Sequence, residues 1–264
     1  MKVGIIGYGV VGKAIGAYYT SRDIPVIIYD KYCAIGTIDE IIDTYICYIC
    51  VPTPNNADGI DLTEVDNVFM SLSGYSGEIV LKSTVIPGTT DMFINKYSAL
   101  NISFCPEFLS AKTNIQDYAE QKNIILGIGI GIGKGIGILK DWYTNNYPHA
   151  ELSIVSCIEA ESVKIYSNVF YAVKIQTFTE FYLACQHNGS NFDKIRDLML
   201  KNNWINPMHT TVPCNGAISF SGMCFPKDIA SFNKYLENNG LDNRVINAAM
   251  TESLIHNSTS FRHA

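Results

Sequence analysis

A thiol and several carboxylates stand beside glycines and prolines in this sequence, where loops set the side chains, and an ammonium group and an amide share a helical stretch. Cys224 lies in Gly222-Met-Cys-Phe-Pro-Lys-Asp228, a Gly-rich run that opens a helical pattern. A cysteine near a helix N-terminus has its thiolate favoured by the dipole, and a thiolate is a nucleophile. Lys164 and Asn168 stand four apart in a helical pattern and so share one face. Three polar runs each follow a strand-like stretch: Cys50-Val-Pro-Thr-Pro54, Lys82-Ser-Thr84 and Cys105-Pro-Glu-Phe-Leu109. The carboxyl edge of an open α/β sheet is where ligands bind. Taken singly, each feature has an ordinary reading. Asn168 could be a solvated helix residue, Cys224 one more small buried thiol, and Glu107 a turn cap.

A cofactor end is legible as well. Gly7-Tyr-Gly9-Val-Val-Gly12 follows an apolar strand and opens a helix, the context this glycine spacing needs. Gly7 suits the tight turn, Gly9 lets the backbone approach a pyrophosphate, and Gly12 lets helix and strand pack closely. The helix start, at Val10 and Val11, offers N–H groups and a partial positive charge to phosphates. Asp30 ends the second strand, 18 residues after Gly12. A carboxylate there accepts hydrogen bonds from an adenosine ribose and repels a 2′-phosphate. That favours NAD over NADP, with Lys31 as an opposing charge. FAD proteins share the fingerprint.

The elements that must position these residues alternate. Strands are expected at Lys2 to Ile6, Pro25 to Tyr29, Tyr45 to Val51, Glu78 to Lys82 and Ile102 to Phe104. Helices are expected at Val10 to Tyr19, residues 35–43 and Asp61 to Leu72, with Asp61 as N-cap. The order implies a doubly wound parallel sheet of Rossmann type, with helices on both faces. Glycine recurs at 127, 129, 131, 133, 135 and 137, mostly alternating with Ile, which reads as a strand, a loose turn and a helix from about 135. No Lys-Ser/Thr follows in the phosphate-loop pattern. From Glu159 through Gln186 one helical periodicity runs for about 28 residues, near 40 Å. Further helices are expected near 191–202, 227–238 and 241–256. The second half therefore reads as an all-α domain, with residues 1–150 and 151–264 as the two domains and the linker within 144–156.

Composition removes other classes. Hydrophobic residues are 47% and charged residues 17% of 264, which excludes a disordered chain and permits a sizeable core. A net charge of −6 without a Lys/Arg block argues against nucleic acid as a partner. The run Ile124 to Leu139 contains Lys134 and several glycines, and is too short for a membrane span. The N-terminus lacks the pattern of a signal peptide, so a cytoplasmic location and reduced thiols are expected. Cys47 and Cys50 form a CxxC, but on a strand side chains three apart point to opposite faces, and no metal site is expected.

The order of these motifs resembles the UDP-glucose/GDP-mannose dehydrogenase family over nearly the whole chain. The resemblance rests on Gly7-x-Gly9-x-x-Gly12, Val51-Pro-Thr-Pro54, Lys82-Ser-Thr-Val85, Pro106-Glu-Phe-Leu109, Glu161-x-x-Lys164-x-x-x-Asn168 and Gly222-x-Cys224-x-Pro-Lys-Asp228. It implies oxidation of C6 of a nucleotide sugar from alcohol to carboxylate by two NAD. Cys224 would attack the intermediate aldehyde, giving a thiohemiacetal and then a thioester. Lys164 and Asn168 would stabilise the oxyanion. Asp228, with Thr84 and Glu107 through a water, would serve proton transfer and hydrolysis. It further implies that Gly7, Tyr8, Gly9, Val10, Val11, Gly12, Asp30, Lys31, Val51, Pro52, Thr53, Ser83 and Thr84 meet the cofactor. Phe108, Leu109, Ser110, Phe220 and Gly222 would meet the substrate, and a homodimer would form through the helix near 159–187.

Three departures stand out. The family has a third domain that grips the substrate nucleotide, whereas this chain stops at Ala264, so the resemblance implies a compact form. A second Glu of the family is Ala111 here. Trp204 stands near the place of an Arg that reaches the neighbouring active site. UDP-glucose is the default substrate. A two-electron dehydrogenase of the β-hydroxyacid type and a non-catalytic NAD-binding protein are the competing readings. Cys224 separates the first of these, because a two-electron enzyme has no use for a thiolate there.

Overall fold

The computed structural model describes residues 1–110, 112–129, 136–214 and 216–259. Ala111 and the glycines 131, 133 and 135 of the Gly-Ile run lie outside the described residues. The chain divides into two units: Met1–Asn56 with Ile60–Lys164, and Ala57–Gly59 with the chain from Ile165 onward.

The first unit carries β1 (Val3–Ile6), α1 (Val10–Thr20), β2 (Val26–Tyr29), α2 (Ile38–Ile42) and β3 (Ile46–Ile49). Two short strands follow, β4 (Asn55–Asn56) and β5 (Gly59–Ile60), then α3 (Thr63–Ser71), β6 (Glu78–Leu81) and α4 (Thr89–Lys96). β7 (Asn101–Phe104), α5 (Asn114–Ala119), β8 (Asn123–Ile128), α6 (Ile136–Asn146) and β9 (Glu151–Ser156) complete it, and α7 (Cys157–Asn188) starts in it. Asp61 does not itself occupy the N-cap position of α3, which is Leu62, but its carboxylate accepts the Thr63 N–H at 2.9 Å.

Seven strands form one sheet in the order β2-β1-β3-β6-β7-β8-β9. The strands β2, β1, β3, β6 and β7 are parallel, as the alternating pattern implies. β8 pairs antiparallel with β7, and β9 then runs parallel to β8. The sheet is thus mixed at one end, a reversal that strand periodicity cannot encode. Side chains alternate between two cores. Ile46 and Tyr48 pack on one face with Ile15, Tyr19 and Trp142, while Cys47 and Ile49 pack on the other with Phe69, Phe93 and Phe104. β1, β3 and β6 are buried throughout, because helices cover both faces.

Residues 144–156, expected as the linker, hold the end of α6 and the edge strand β9, which pairs with β8 along its length. The boundary between the units instead falls at Lys164, inside α7. Among the described residues, the second unit is helical but for Gly59 of β5 and a Cys214–Ala217 bridge. It contains the rest of α7, α8 (Phe192–Leu200), α9 (Phe225–Asn238) and α10 (Arg244–Thr259). Ile165, Val169, Ala172, Phe220, Ile229 and Ala249 form its main core. Among the described residues, no helix is long and apolar enough to cross a membrane.

Candidate active site

The chain leaves β1, forms β2 on one side, and returns for β3 on the other. The carboxyl ends of β1 and β3, where the strand order reverses, are the usual ligand position in such sheets. The glycine turn sits there. Gly7 has φ +92°, a left-handed conformation that glycine adopts freely. A Cβ on Gly7 would stand 2.7 Å from the Cys50 carbonyl oxygen, and one on Gly12 would stand 2.1 Å from the Gly7 oxygen. A Cβ on Gly9 would meet no atom within 4 Å. Gly7 and Gly12 therefore serve close backbone packing, while Gly9 faces open space at the start of α1. Gly9 is the N-cap of α1, and no side chain caps this end. The first N–H groups, from Val10 and Val11 on, are thus suited to an anion, and the geometry fits a dinucleotide pyrophosphate.

Asp30 follows β2 and is 9% exposed. Its Oδ2 accepts the Tyr8 N–H at 2.7 Å, and its Oδ1 accepts those of Tyr32 and Cys33, each at 2.9 Å. Burial raises the pKa of this carboxyl, but the three N–H donors outweigh it and hold it below the ordinary value. Three bonds occupy most of the roughly four lone-pair sites of a carboxylate. Asp30 therefore anchors the glycine turn. Lys31 is salt-bridged to Glu64 at 2.5 Å, and the bond raises the Lys31 pKa.

The strand ends beyond the turn are cross-braced. Ser83 Oγ donates to the Val51 carbonyl at 2.6 Å, and Thr53 Oγ1 donates to the Thr84 carbonyl at 2.7 Å. Pro52 is exposed between them. Lys82 is 3% exposed and donates to the Pro106 carbonyl at 2.9 Å. Lys164 donates to the Glu107 carbonyl at 2.6 Å and to Glu107 Oε1 at 3.0 Å. Two buried ammonium groups thus hold successive carbonyls of the turn after β7. Glu107 Oε2 accepts the Leu109 N–H at 2.7 Å, and the Lys164 ammonium stands 5.3 Å from the centre of the Phe108 ring. Phe108 is half-exposed, and Ser110 donates its N–H to Asp117. Glu107 accepts two of the three N–H bonds an ammonium can make.

In the second unit, Asn168 Nδ2 donates to Asp228 Oδ2 at 2.6 Å. Lys227 holds the other oxygen, also at 2.6 Å. Asp228 is 1% exposed, a carboxylate stabilised by two charge-assisted or amide bonds. It lies one turn beyond Cys224, which is the N-cap of α9. Cys224 is exposed and forms no disulfide. Gly222 has φ +84° and turns the chain into this start. The side chain of Phe220 is buried in the core beside Ile165 and Ile229. Trp204 is 90% exposed, in the stretch between α8 and α9.

The CxxC behaves otherwise. Cys47 and Cys50 pack into opposite cores. Burial pushes the Cys50 thiol up to about 12 and the Cys47 thiol higher, so neither is a thiolate near neutral pH.

Sequence reading assigned no role to Glu161. It is fully buried, and its two oxygens accept the N–H groups of Gly88 and Thr90, each at 2.6 Å. It therefore caps α4 from 71 residues away in sequence, with its pKa raised by burial. No local signal pairs two positions so far apart.

Residues 36–131 match the NAD binding domain of the UDP-glucose/GDP-mannose dehydrogenase family, and residues 158–252 match its central domain. A UDP-glucose 6-dehydrogenase of Rickettsia bellii is 30% identical over 220 residues, 80% of this chain and 50% of that one. The chain thus spans about half the length of the curated relatives it matches. Among solved structures, a UDP-glucose dehydrogenase of Pyrobaculum islandicum superposes with a TM-score of 0.82 at 22% identity. That match covers 96% of this chain and 68% of that one. A UDP-D-ManNAc dehydrogenase of Pyrococcus horikoshii gives 0.79 at 18%, over 95% and 68%. These two structures share the fold.

Proposed function

With the chain a member of the UDP-glucose/GDP-mannose dehydrogenase family, we propose that it oxidises a nucleotide sugar at C6, from alcohol to carboxylate, in two NAD-dependent steps. The observation that carries this reading is the Asn168–Asp228 hydrogen bond, one helical turn past Cys224 at the start of α9.

Bound NAD supplies the acceptor for one hydride in each oxidation. The protein's own residues do the rest. The glycine turn and the N-terminus of α1 bind the pyrophosphate, and Asp30 receives the ribose. The first oxidation gives an aldehyde at C6. Cys224 then adds to the aldehyde carbon as a thiolate, so that a carbon–sulfur bond forms and the carbonyl oxygen becomes an oxyanion. Lys164 and Asn168, one turn apart on α7, donate to that oxygen. Loss of the second hydride restores the carbonyl as a thioester. Water then attacks the thioester carbon, the carbon–sulfur bond breaks, and the carboxylate leaves with the thiol restored. Asp228, Glu107 and Thr84 handle the protons of these steps. The covalent sulfur adduct is what a second oxidation requires, since a free aldehyde carbon must carry an added nucleophile before it can release hydride.

UDP-glucose is the proposed substrate, supported by the UDP-glucose 6-dehydrogenases among the similar sequences. The family's other nucleotide sugars are the alternatives. The proposed assembly is a homodimer through α7, supported by the outward apolar positions Tyr166, Phe170, Phe181 and Leu183. The test is NADH formation with UDP-glucose, UDP-N-acetylmannosamine and GDP-mannose in parallel. The expected result is turnover with UDP-glucose at a kcat/KM at least tenfold above the other two. Turnover with another of the three moves the substrate assignment and keeps the chemistry. Binding of NAD with no turnover on any of them overturns the dehydrogenase reading.

A further inference from the structure

A cation immediately after the acid that ends the second strand is what a 2′-phosphate would use, and this chain has one in Lys31. The Lys31 ammonium is not presented to solvent alone. It is held by Glu64 Oε2 at 2.5 Å, and it stands 4.9 Å from the centre of the Tyr32 ring. Glu64 belongs to the first turn of α3, where a carboxylate also complements the helix dipole. Asp30 beside it is a carboxylate turned inward on three backbone N–H groups. The local charge at the ribose end is therefore −1, the sum of Asp30, Lys31 and Glu64, rather than zero.

We propose that Glu64 is a specificity-determining residue: by neutralising Lys31 it denies the adenosine 2′-phosphate a cationic partner and sets the preference for NAD over NADP. The inference rests on the cofactor reading above. A phosphate carries close to two negative charges, so unmasking Lys31 acts on it far more than on a ribose hydroxyl. The pair is partly solvent-exposed, with the two side chains 44% and 22% exposed, so the effect is moderate and salt-sensitive.

The test titrates NAD+ and NADP+ into the full chain by calorimetry, at low ionic strength and again at 0.5 M NaCl. Three proteins are compared: wild type, Glu64→Gln, and Glu64→Gln with Lys31→Ala. Wild type is expected to prefer NAD+. Glu64→Gln is expected to lower the ratio of the NADP+ to the NAD+ dissociation constant by roughly tenfold at low salt, and by less at high salt. The double variant is expected to return the ratio to the wild-type value or above it. A Glu64→Gln ratio within twofold of wild type, with NAD+ still bound, overturns the inference. An equal gain in the double variant overturns it too, since Lys31 would then not be the group unmasked. Failure of wild type to bind either dinucleotide overturns the cofactor reading instead, and is told apart by that control.

Discussion

Asn168 is expected to act on two atoms, the oxyanion of the adduct and Asp228 Oδ2, and only the second is seen in the hydrogen bonding of the second unit. Asn168→Ala removes both. Losing one oxyanion donor costs about 10²- to 10³-fold in kcat. The variant is expected to fall within that range in NADH formation. The glycine turn and Asp30 belong to the other unit, so a fluorescence titration should still detect NAD+ binding. A kcat within threefold of wild type would remove Asn168 from the chemistry. Several residue-scale features were readable beforehand for one reason. A glycine with positive φ, a glycine against a carbonyl, and a cysteine at a helix start are local demands. Gly7, Gly12 and Cys224 each answer one. Spacing marks Asp30 as a ribose acceptor alone. Its grip on Tyr8, Tyr32 and Cys33 depends on how the turn folds back, which spacing does not reveal.

Helix α4 shows what holds an element in place from a distance. Its N-cap, Gly88, has φ +94° and no side chain to offer, so Glu161 on α7 supplies both acceptors. Glu161→Gln keeps the volume but turns an amide NH2 toward one of the two N–H groups. A buried donor left without its partner costs about 1–3 kcal/mol. Urea unfolding is expected to show a loss of that size, and a variant as stable as wild type would mean the cap contributes nothing. The elements that sequence located well are the buried ones. β1, β3 and β6 are apolar runs with both faces covered. β9 went unrecognised because it is an edge strand. Glu151, Ser153 and Ser156 interrupt its apolar pattern, and none of its residues is fully buried. Its pairing with β8 comes from the main chain, which leaves little trace in side-chain type. The antiparallel entry of β8 is hidden for a related reason, since a strand's periodicity is the same in either direction.

At the scale of the whole molecule, the proposed dimer rests on α7. It runs 32 residues, and Tyr166 and Phe170 are 49% and 62% exposed. Apolar positions of this size on a helix face mark an interaction surface when they are contiguous. Light scattering is expected to give a mass near twice 29.3 kDa, and the monomer mass at micromolar concentration would contradict the dimer. The unit boundary at Lys164 adds a consequence. Lys164 is tied to Glu107 in the first unit, and Asn168 to Asp228 in the second, so one helix carries a polar group for each. Lys164 and Asn168, four apart, share one face of α7, as their spacing implies.

The proposed chemistry is a four-electron oxidation through Cys224. The direct measurement is the number of NADH molecules formed per UDP-glucose consumed, for wild type and for Cys224→Ala, with product identified by mass. Two NADH per sugar and a carboxylate product in wild type, with UDP-glucose oxidation to the acid lost in the variant, is the predicted result. One NADH per sugar, unchanged by Cys224→Ala, would contradict it and make the chain a two-electron dehydrogenase.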